Sequence, residues 1–394
     1  MSQLISKKLV LLGATGSIGE STLRIVRQHP ERLSLLAIAG KSRWEPLAEI
    51  AREFGVRHVG IFDSDALDKA RKSDAFPADT IFYEGVEGLI ELACLPEANL
   101  VADAIVGTLS LKPALAALEC GKDLALASKE ILVMAGKFVT RAAKANNCRI
   151  LPLDSEHNAI FQCLQGEEIE SVAKLILTAS GGPFRDFTTE QMASVTREQA
   201  LKHPNWDMGP KVTVDSSTMA NKGLEVIEAH WLFGLGRDQI SVVVHPQSIV
   251  HSMVQHVDGS VIAHMSPPIM TFAIQHALLY PDRAIGVDKP IDFTEALQLD
   301  FRPPDYGKFP CLRLAMEAMA AEGIAPAVFN AANEVAVDAF LDEKIGYLDI
   351  ARVVEGALET VPSRDPQVLD EILESDAEAR RIAGEIAESL TAKA

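Results

Sequence analysis

The chain has 394 residues, 48% of them hydrophobic, and 37 basic against 55 acidic side chains give it a formal net charge of −18. That length and apolar content fit a soluble protein of two or three domains with a sizeable core, and exclude a disordered chain. The acidic balance argues against nucleic acid or an anionic membrane as a partner, so an anionic small molecule would need a locally basic site.

The N-terminus runs almost straight into a strand, with no signal-peptide pattern and no apolar stretch long enough to span a bilayer. Five scattered cysteines (Cys94, Cys120, Cys148, Cys163 and Cys311) form no CxxC motif. They suit reduced thiols, and the expected location is the cytoplasm. An apolar strand over Lys8–Leu12 leads into Gly13-Ala14-Thr15-Gly16-Ser17-Ile18-Gly19, and a helical pattern follows through Gln28. This strand–glycine loop–helix order is a dinucleotide fingerprint. Its glycines permit a tight turn, close approach of backbone to pyrophosphate, and close packing behind it. Gly13, Thr15, Gly16, Ser17 and Ile18 are the candidate cofactor contacts.

A second strand, Ser34–Ala39, ends in Gly40-Lys41-Ser42-Arg43 where an NAD site usually carries an acid. Cations and a hydroxyl suit the 2′-phosphate of NADP, the competing reading being a solvated basic loop. Further strands are expected over Val59–Phe62, Ile81–Tyr83, Leu100–Val106 and Leu124–Ala127, with helices between them. The alternation implies a parallel sheet covered on both faces. Ser128-Lys129-Glu130 then falls at the carboxyl edge of the sheet, close to the nicotinamide end of a cofactor, unless Ser128 only caps a helix and Lys129 is merely exposed.

Cys148–Leu153 reads as a strand that stops at Asp154-Ser155-Glu156-His157-Asn158, before a helix from about Ala159. Two carboxylates at a strand's end can converge on Mg²⁺ or Mn²⁺. Alternatively, Asp154 or Ser155 simply caps the helix, with Glu156 in its first turn. A strand over Leu175–Thr178 leads to Ser180-Gly181-Gly182, a phosphate nest. The connection over about 182–210 holds His203, Pro204, Asn205, Trp206, Asp207 and Gly209. It reads as a mobile lid, or with Trp206 as a core anchor.

A strand over Lys211–Val214 and a helix over Thr218–Phe233 are expected next. Ser216 then lies ahead of the helix, and Asn221, Lys222 and Glu225 share one helical face. That face could grip a phosphate and send Glu225 to the same cation as Asp154 and Glu156. The simpler reading is a surface Lys222–Glu225 pair, which an internal Gly223 disfavours. A strand over Ser241–His245 and a hairpin, Ile249–His256 with Ser260–His264, place His245 and His251 in a sheet, where histidines are more often structural. His251 is the preferred further substrate contact. Pro281–Pro310 reads as a connecting arm. Helical patterns over Cys311–Ala321, Ala327–Leu341, Leu348–Thr360 and Val368–Leu390 form a small bundle.

Taken together, these motifs resemble the 1-deoxy-D-xylulose 5-phosphate reductoisomerase family along essentially the whole chain. Matching stretches include His245-Pro246-Gln247-Ser248 and Asn330-Ala331-Ala332-Asn333-Glu334; Ile269 departs from an acidic residue expected there. The resemblance implies an α/β fold with a Rossmann-like NADPH-binding domain (1–150), a central α+β catalytic domain (151–280), an arm (281–310) and a C-terminal helical domain (311–394).

It also implies Asp154, Glu156 and Glu225 as ligands of Mg²⁺ or Mn²⁺, with Co²⁺ admitted. Ser180, Ser216, Asn221 and Lys222 would hold the substrate phosphate. Ser155, Lys129, His203, Trp206 and Glu225 would be further substrate contacts, and Gly40, Lys41, Ser42, Ser128, Glu130 and Gly209 further cofactor contacts. Catalytic roles fall to Glu156, Glu225, Lys222 and His203. The implied reaction is metal-assisted rearrangement of 1-deoxy-D-xylulose 5-phosphate, then hydride transfer to give 2-C-methyl-D-erythritol 4-phosphate, by a cytoplasmic homodimer. The rivals are a plain NADP-dependent dehydrogenase, which needs no carboxylate triad, and a non-catalytic NADP sensor.

Overall fold

The computed structural model describes residues 6–206 and 208–391, so Asp207 of the expected lid and both extreme termini lie outside the described residues. The chain divides into two compact units. The first takes the chain up to Ile131, with Lys137–Asn158 and Ile269–Pro290. The second takes Leu132–Gly136, Ala159–Pro268 and the chain from Ile291 onward.

The first unit is built on a seven-stranded sheet. Its strands are β1 (Lys7–Leu12), β2 (Leu33–Gly40), β3 (His58–Ile61), β4 (Ile81–Glu84), β5 (Leu100–Asp103), β6 (Asp123–Leu126) and β7 (Ile150–Pro152). They lie in the order β4-β3-β2-β1-β5-β6-β7, and every pairing is parallel. Leu9, Val10, Leu11 and Leu12 have no exposed surface at all, because helices cover both faces, and this is why β1 reads as an unbroken apolar run. Helix Ser17–Gln28 buries Leu23, Ile25 and Val26. Each contributes about 1.5–3 kcal/mol relative to exposure. The strand order reverses between β1 and β5, so the crevice at their carboxyl ends is the expected ligand position.

The second unit holds a four-stranded sheet of β8 (Val172–Ala179), β9 (Ile240–Val244), β10 (Val250–His256) and β11 (Val261–Met265), in the order β11-β10-β8-β9. Strands β8 and β9 are parallel, and β10 runs antiparallel to β8 and β11. The expected hairpin is present, with Gly259 in the left-handed region at its turn. Helices Pro310–Ala321, Ala325–Leu341, Asp349–Thr360 and Leu369–Thr391 make up the C-terminal bundle. The last is continuous, because Ser375 is buried and donates to the Glu371 carbonyl instead of breaking the helix.

Four local expectations are corrected. The segment expected as a strand over Lys211–Val214 belongs to a helix, Pro210–Thr218. Pro210 starts it with a suitable φ, and the hydroxyls of Thr213, Ser217 and Thr218 bond back to carbonyls of their own helix. Burial of Thr213 and Val214 thus overrides their β preference. The following helix is Ala220–Phe233, separated from the first by Met219 at φ 60°. Ser216 therefore sits in the last turn of one helix, not in a loop ahead of the next.

The third correction concerns the helix after β7, which begins at Ser155 and not near Ala159. Last, β5 stops at Asp103, short of Val106. Helix Thr271–Leu279 was not expected at all; it is apolar on nearly every side, which hides its period, and it belongs to the first unit.

Candidate active site

At the crevice of the first unit, the chain leaves β1 through Gly13 at φ 87°. A Cβ there would lie 2.5 Å from the Ala104 carbonyl oxygen, just past β5, and one on Gly19 would lie 2.4 Å from the Gly13 oxygen. Only glycine fits either position. Gly16, ahead of helix Ser17–Gln28, offers no side-chain cap, so the first N–H groups of that helix are left for a phosphate. Gly40 ends β2 beside Thr15, and the exposed Arg43 donates to the Thr15 carbonyl, tying the basic loop to the glycine loop. Lys41 and Ser42 are exposed next to it. The cradle thus has the shape and charge for a phosphorylated dinucleotide.

Ser128 is not a side-chain cap. Its hydroxyl donates to the Gly107 carbonyl at 2.8 Å and lies 3.0 Å from the buried Glu130 carboxylate. Nor is Lys129 merely exposed: its ammonium lies 3.0 Å from Asp154 Oδ2. Asp103 closes β5 beside this turn and had no role in the sequence reading. Its Oδ1 accepts from Ile105 N at 3.2 Å, and burial pushes its pKa up to about 7. A lone Asp at a strand's carboxyl end was the available signal.

The carboxylate turn follows β7. Asp154 Oδ1 accepts from Glu156 N at 3.0 Å and from His157 N at 3.4 Å, so Asp154 is the helix cap. The same oxygen lies 3.0 Å from His157 Nδ1. Ser155 donates to Glu156 Oε2 at 2.8 Å. Capping does not exclude ligation, because the turn holds the Asp154 and Glu156 carboxylates in fixed, partly buried positions.

In the second unit β8 ends at Ser180-Gly181-Gly182. Both glycines have positive φ, and a Cβ on Gly182 would lie 2.7 Å from the Ser216 carbonyl oxygen, so the turn is pressed against helix Pro210–Thr218. His203 Nε2 lies 3.1 Å from Ser180 Oγ and 3.0 Å from Ser216 Oγ. His203 Nδ1 accepts from the backbone N–H of Asn205 and Trp206, which places the ring proton on Nε2, facing the two serines. Asn205, quoted in the motif without a role, donates to the Pro246 carbonyl and to Ser248. It pins the lid segment to the turn after β9, and leaves half-buried Trp206 with its ring centroid 6.4 Å from that of His251.

Neither sheet histidine is exposed. His245 accepts from Ile249 and Val250 N–H groups and faces the Asp300 carbonyl, a structural role. His251 is held by Ser266 at 2.9 Å. Within the lid segment, the short helices Thr189–Met192 and Arg197–Ala200 each begin with a capping box, so this connection is partly ordered by its own sequence.

Burial, reinforced by the charge of Arg185, holds the His203 pKa down to about 4 from 6.5. The folded state then binds fewer protons than the unfolded one between those values. The stabilisation is therefore complete above pH 6.5 and is lost as the pH falls through about 4. The melting temperature should decline over this window, and less steeply in His203→Gln. Equal slopes would show that His203 does not titrate this way.

On helix Ala220–Phe233, Asn221 donates to Glu225 Oε1 at 2.5 Å, and Lys222 forms an ion pair with Glu225 Oε2. Lys222 and Glu225 are both buried, so this is no surface pair. Gly223 lets the helix approach Pro310–Ala321, since a Cβ would meet Ala315 Cβ at 2.5 Å. Asn330 to Glu334 also finds a place. Buried Asn333 donates to Asp215 Oδ1 at 2.7 Å, and Lys211 lies 3.1 Å from Asp215 Oδ2. Tyr347 donates to the Ser217 carbonyl at 2.7 Å. The C-terminal bundle thus holds the helix that carries Ser216. Asn333→Ala removes a hydrogen bond to a buried carboxylate, worth about 1.5–3 kcal/mol. Denaturant titration should show that loss, and substrate KM should rise more than kcat falls.

Three family models match the chain: 1-deoxy-D-xylulose 5-phosphate reductoisomerase over residues 9–136, and the C-terminal domains of the same family over 150–233 and 265–382. The 1-deoxy-D-xylulose 5-phosphate reductoisomerase of Burkholderia multivorans is 48% identical over 386 residues, 97% of each chain. That of Geobacillus sp. (strain WCH70) is 50% identical over 376 residues, covering 95% of this chain and 98% of the relative. The chain belongs to the 1-deoxy-D-xylulose 5-phosphate reductoisomerase family.

Solved structures agree. The Zymomonas mobilis reductoisomerase in complex with NADPH superimposes with a TM-score of 0.92 at 41% identity, covering 98% of this chain and 100% of that one. A reductoisomerase in complex with NADPH, fosmidomycin and magnesium gives a TM-score of 0.92 at 42% identity, covering 98% and 99%. The family's α/β fold and its Rossmann-like domain are those of this chain.

Proposed function

We propose that this chain converts 1-deoxy-D-xylulose 5-phosphate to 2-C-methyl-D-erythritol 4-phosphate, using NADPH and a divalent cation, as a step in isoprenoid precursor synthesis. The observation that carries this reading is the family match, which extends over 95–97% of the chain in the two relatives above. A plain dehydrogenase would have no need of the three carboxylates Asp154, Glu156 and Glu225.

The residues support a division of labour. Glycine-loop N–H groups take the cofactor pyrophosphate, while Thr15, Ser17, Ile18 and Gly40 flank it and Lys41 and Ser42 favour a 2′-phosphate. Ser128, Glu130 and Gly209 are assigned to its nicotinamide end. Ser180, Ser216, Asn221, Lys222 and His203 Nε2–H supply donors to the substrate phosphate, with Ser155 and Lys129 toward its reacting end. Phosphate binding away from the reacting carbons would supply energy to order Trp206 and its loop over the substrate.

Asp154, Glu156 and Glu225 each offer a carboxylate oxygen, the donor that Mg²⁺, Mn²⁺ and similar ions prefer. When bound, the cation supplies positive charge to substrate oxygens during rearrangement, and NADPH supplies the hydride. Lys129 and Lys222 place ammonium groups against Asp154 and Glu225, which orients the two carboxylates for such an ion. The test is NADPH oxidation on adding the substrate, with Mg²⁺ or with a chelator. Signal that needs both substrate and metal supports the reading; oxidation indifferent to the chelator points to a plain dehydrogenase.

A cytoplasmic homodimer fits the same reading. Edge strand β11 exposes Val261 at 49% and Ile262 at 39%, an apolar edge that a second copy would cover. Light scattering should give twice 42.6 kDa. Val261→Lys with Ile262→Lys should shift the mass toward the monomer, and an unshifted mass places the contact elsewhere. No helix among the described residues is long and apolar enough to cross a membrane.

A further inference from the structure

Away from the site just described, two helices of the first unit end on cysteines. Cys94 caps helix Gly85–Ala93, and Cys120 caps helix Leu111–Glu119. One carbonyl serves both: Ala116 O accepts from Cys120 N at 2.8 Å and from Cys94 Sγ at 3.4 Å. The Cys94 sulfur and the Cys120 backbone N–H thus meet at one carbonyl oxygen. Both are free, Cys120 exposed and Cys94 half-buried behind it.

The other thiols are less suited. Cys163 and Cys311 are buried. Burial also pushes their pKa up, to about 11 and about 12. Cys148 is the one rival, with Sγ 3.5 Å from the Leu118 carbonyl, but it does not bond the Ala116 oxygen that serves both Cys94 and Cys120.

We propose that Cys94 and Cys120 form a dithiol that a hydroperoxide oxidises to a disulfide. The Cys120 thiolate attacks the peroxide O–O bond, takes one oxygen as a sulfenic acid, and the other leaves as water or an alcohol. Cys94 then gives up its proton as its sulfur displaces the sulfenic oxygen, which departs as water while the S–S bond forms. Two thiols lose two electrons and two protons, and the peroxide is the oxidant reduced. The product ties together the ends of the two helices that lead into β5 and β6, across the segment that carries Asp103. Burial holds the Cys94 thiol protonated, with a pKa pushed up to about 12, so Cys94 is not the thiol that attacks the peroxide first.

The test uses the full-length protein, treated with hydrogen peroxide, alkylated without reductant and cleaved after glutamate, which separates the two cysteines at Glu97 and Glu119. The expected product is a single linked pair containing Cys94 and Cys120, formed within one chain and reversed by dithiothreitol. Cys94 and Cys120 should lose alkylation together. In Cys94→Ser the reaction should stop at a Cys120 sulfenic acid, captured by a cyclic dione probe. A Cys120–Cys148 link, a link between two chains, or Cys94 still fully alkylated once Cys120 is oxidised would each overturn the proposal. So would a Cys120 that stays reduced under peroxide sufficient to oxidise the half-buried Met253 and Met265.

Discussion

Glu225→Gln is expected to lower kcat by about 100- to 1000-fold, the scale on which removal of one preorganised electrostatic group acts. The amide keeps the shape of the side chain and one carbonyl oxygen, so Asn221 or Lys222 can still donate to it. What it loses is the charge, at a residue only 1% exposed, against a buried ammonium. Two effects follow from the same change. The Mg²⁺ concentration for half-maximal activity should rise, because one anionic ligand is gone. The melting temperature should fall as well, since breaking a buried ion pair costs about 3–5 kcal/mol. Titrating Mg²⁺ against initial rate, beside a melting curve, separates the two. Near-normal activity at low Mg²⁺ would remove Glu225 from the ligand set, whatever the melting curve shows.

Gly19→Ala should produce the second-largest effect, through a different cause. The added Cβ would lie 2.4 Å from the Gly13 oxygen and 2.5 Å from that of Ala14, both backbone atoms of the glycine loop. Overpacking of this kind typically costs about 1–3 kcal/mol and can cost more, and here relief requires moving the loop that holds the cofactor. NADPH affinity should fall at least about tenfold, equivalent to 1.4 kcal/mol, with a lower melting temperature. Gly16→Ala is the matched control. Its Cβ would sit 3.5 Å from the Gly13 oxygen, an ordinary contact, so that variant should keep its melting temperature. Fluorescence titration of NADPH with both proteins decides the point. Equal melting temperatures for the two would show that the loop yields where its geometry says it cannot.

What the sequence disclosed depended on how local the cause was. The glycine loop and β1 were legible because the strand, turn and helix are continuous in the chain, and each glycine answers to a steric demand within a few residues. The hairpin of β10 and β11 was legible for the same reason. Asp154 and Glu156 stood out by spacing, yet both readings of them were open, and the structure shows Asp154 capping its helix while remaining a carboxylate at the strand's end. Pro210–Thr218 was misread because Val212, Thr213 and Val214 favour strands in isolation, whereas burial against the C-terminal bundle decides the outcome. Contacts such as Lys129 with Asp154, or Asn333 with Asp215, join residues far apart in the chain, so no local pattern could announce them. His203 was legible as a candidate, but its tautomer and lowered pKa come from the fold of its loop.

The most direct measurement is the identity and stoichiometry of the product formed from 1-deoxy-D-xylulose 5-phosphate, by NMR of the reaction with NADPH and Mg²⁺. The account predicts a branched-chain product, 2-C-methyl-D-erythritol 4-phosphate, with one NADP⁺ formed for each molecule. A straight-chain polyol phosphate formed at the same stoichiometry would contradict it, because the chain would then reduce its substrate without rearranging it.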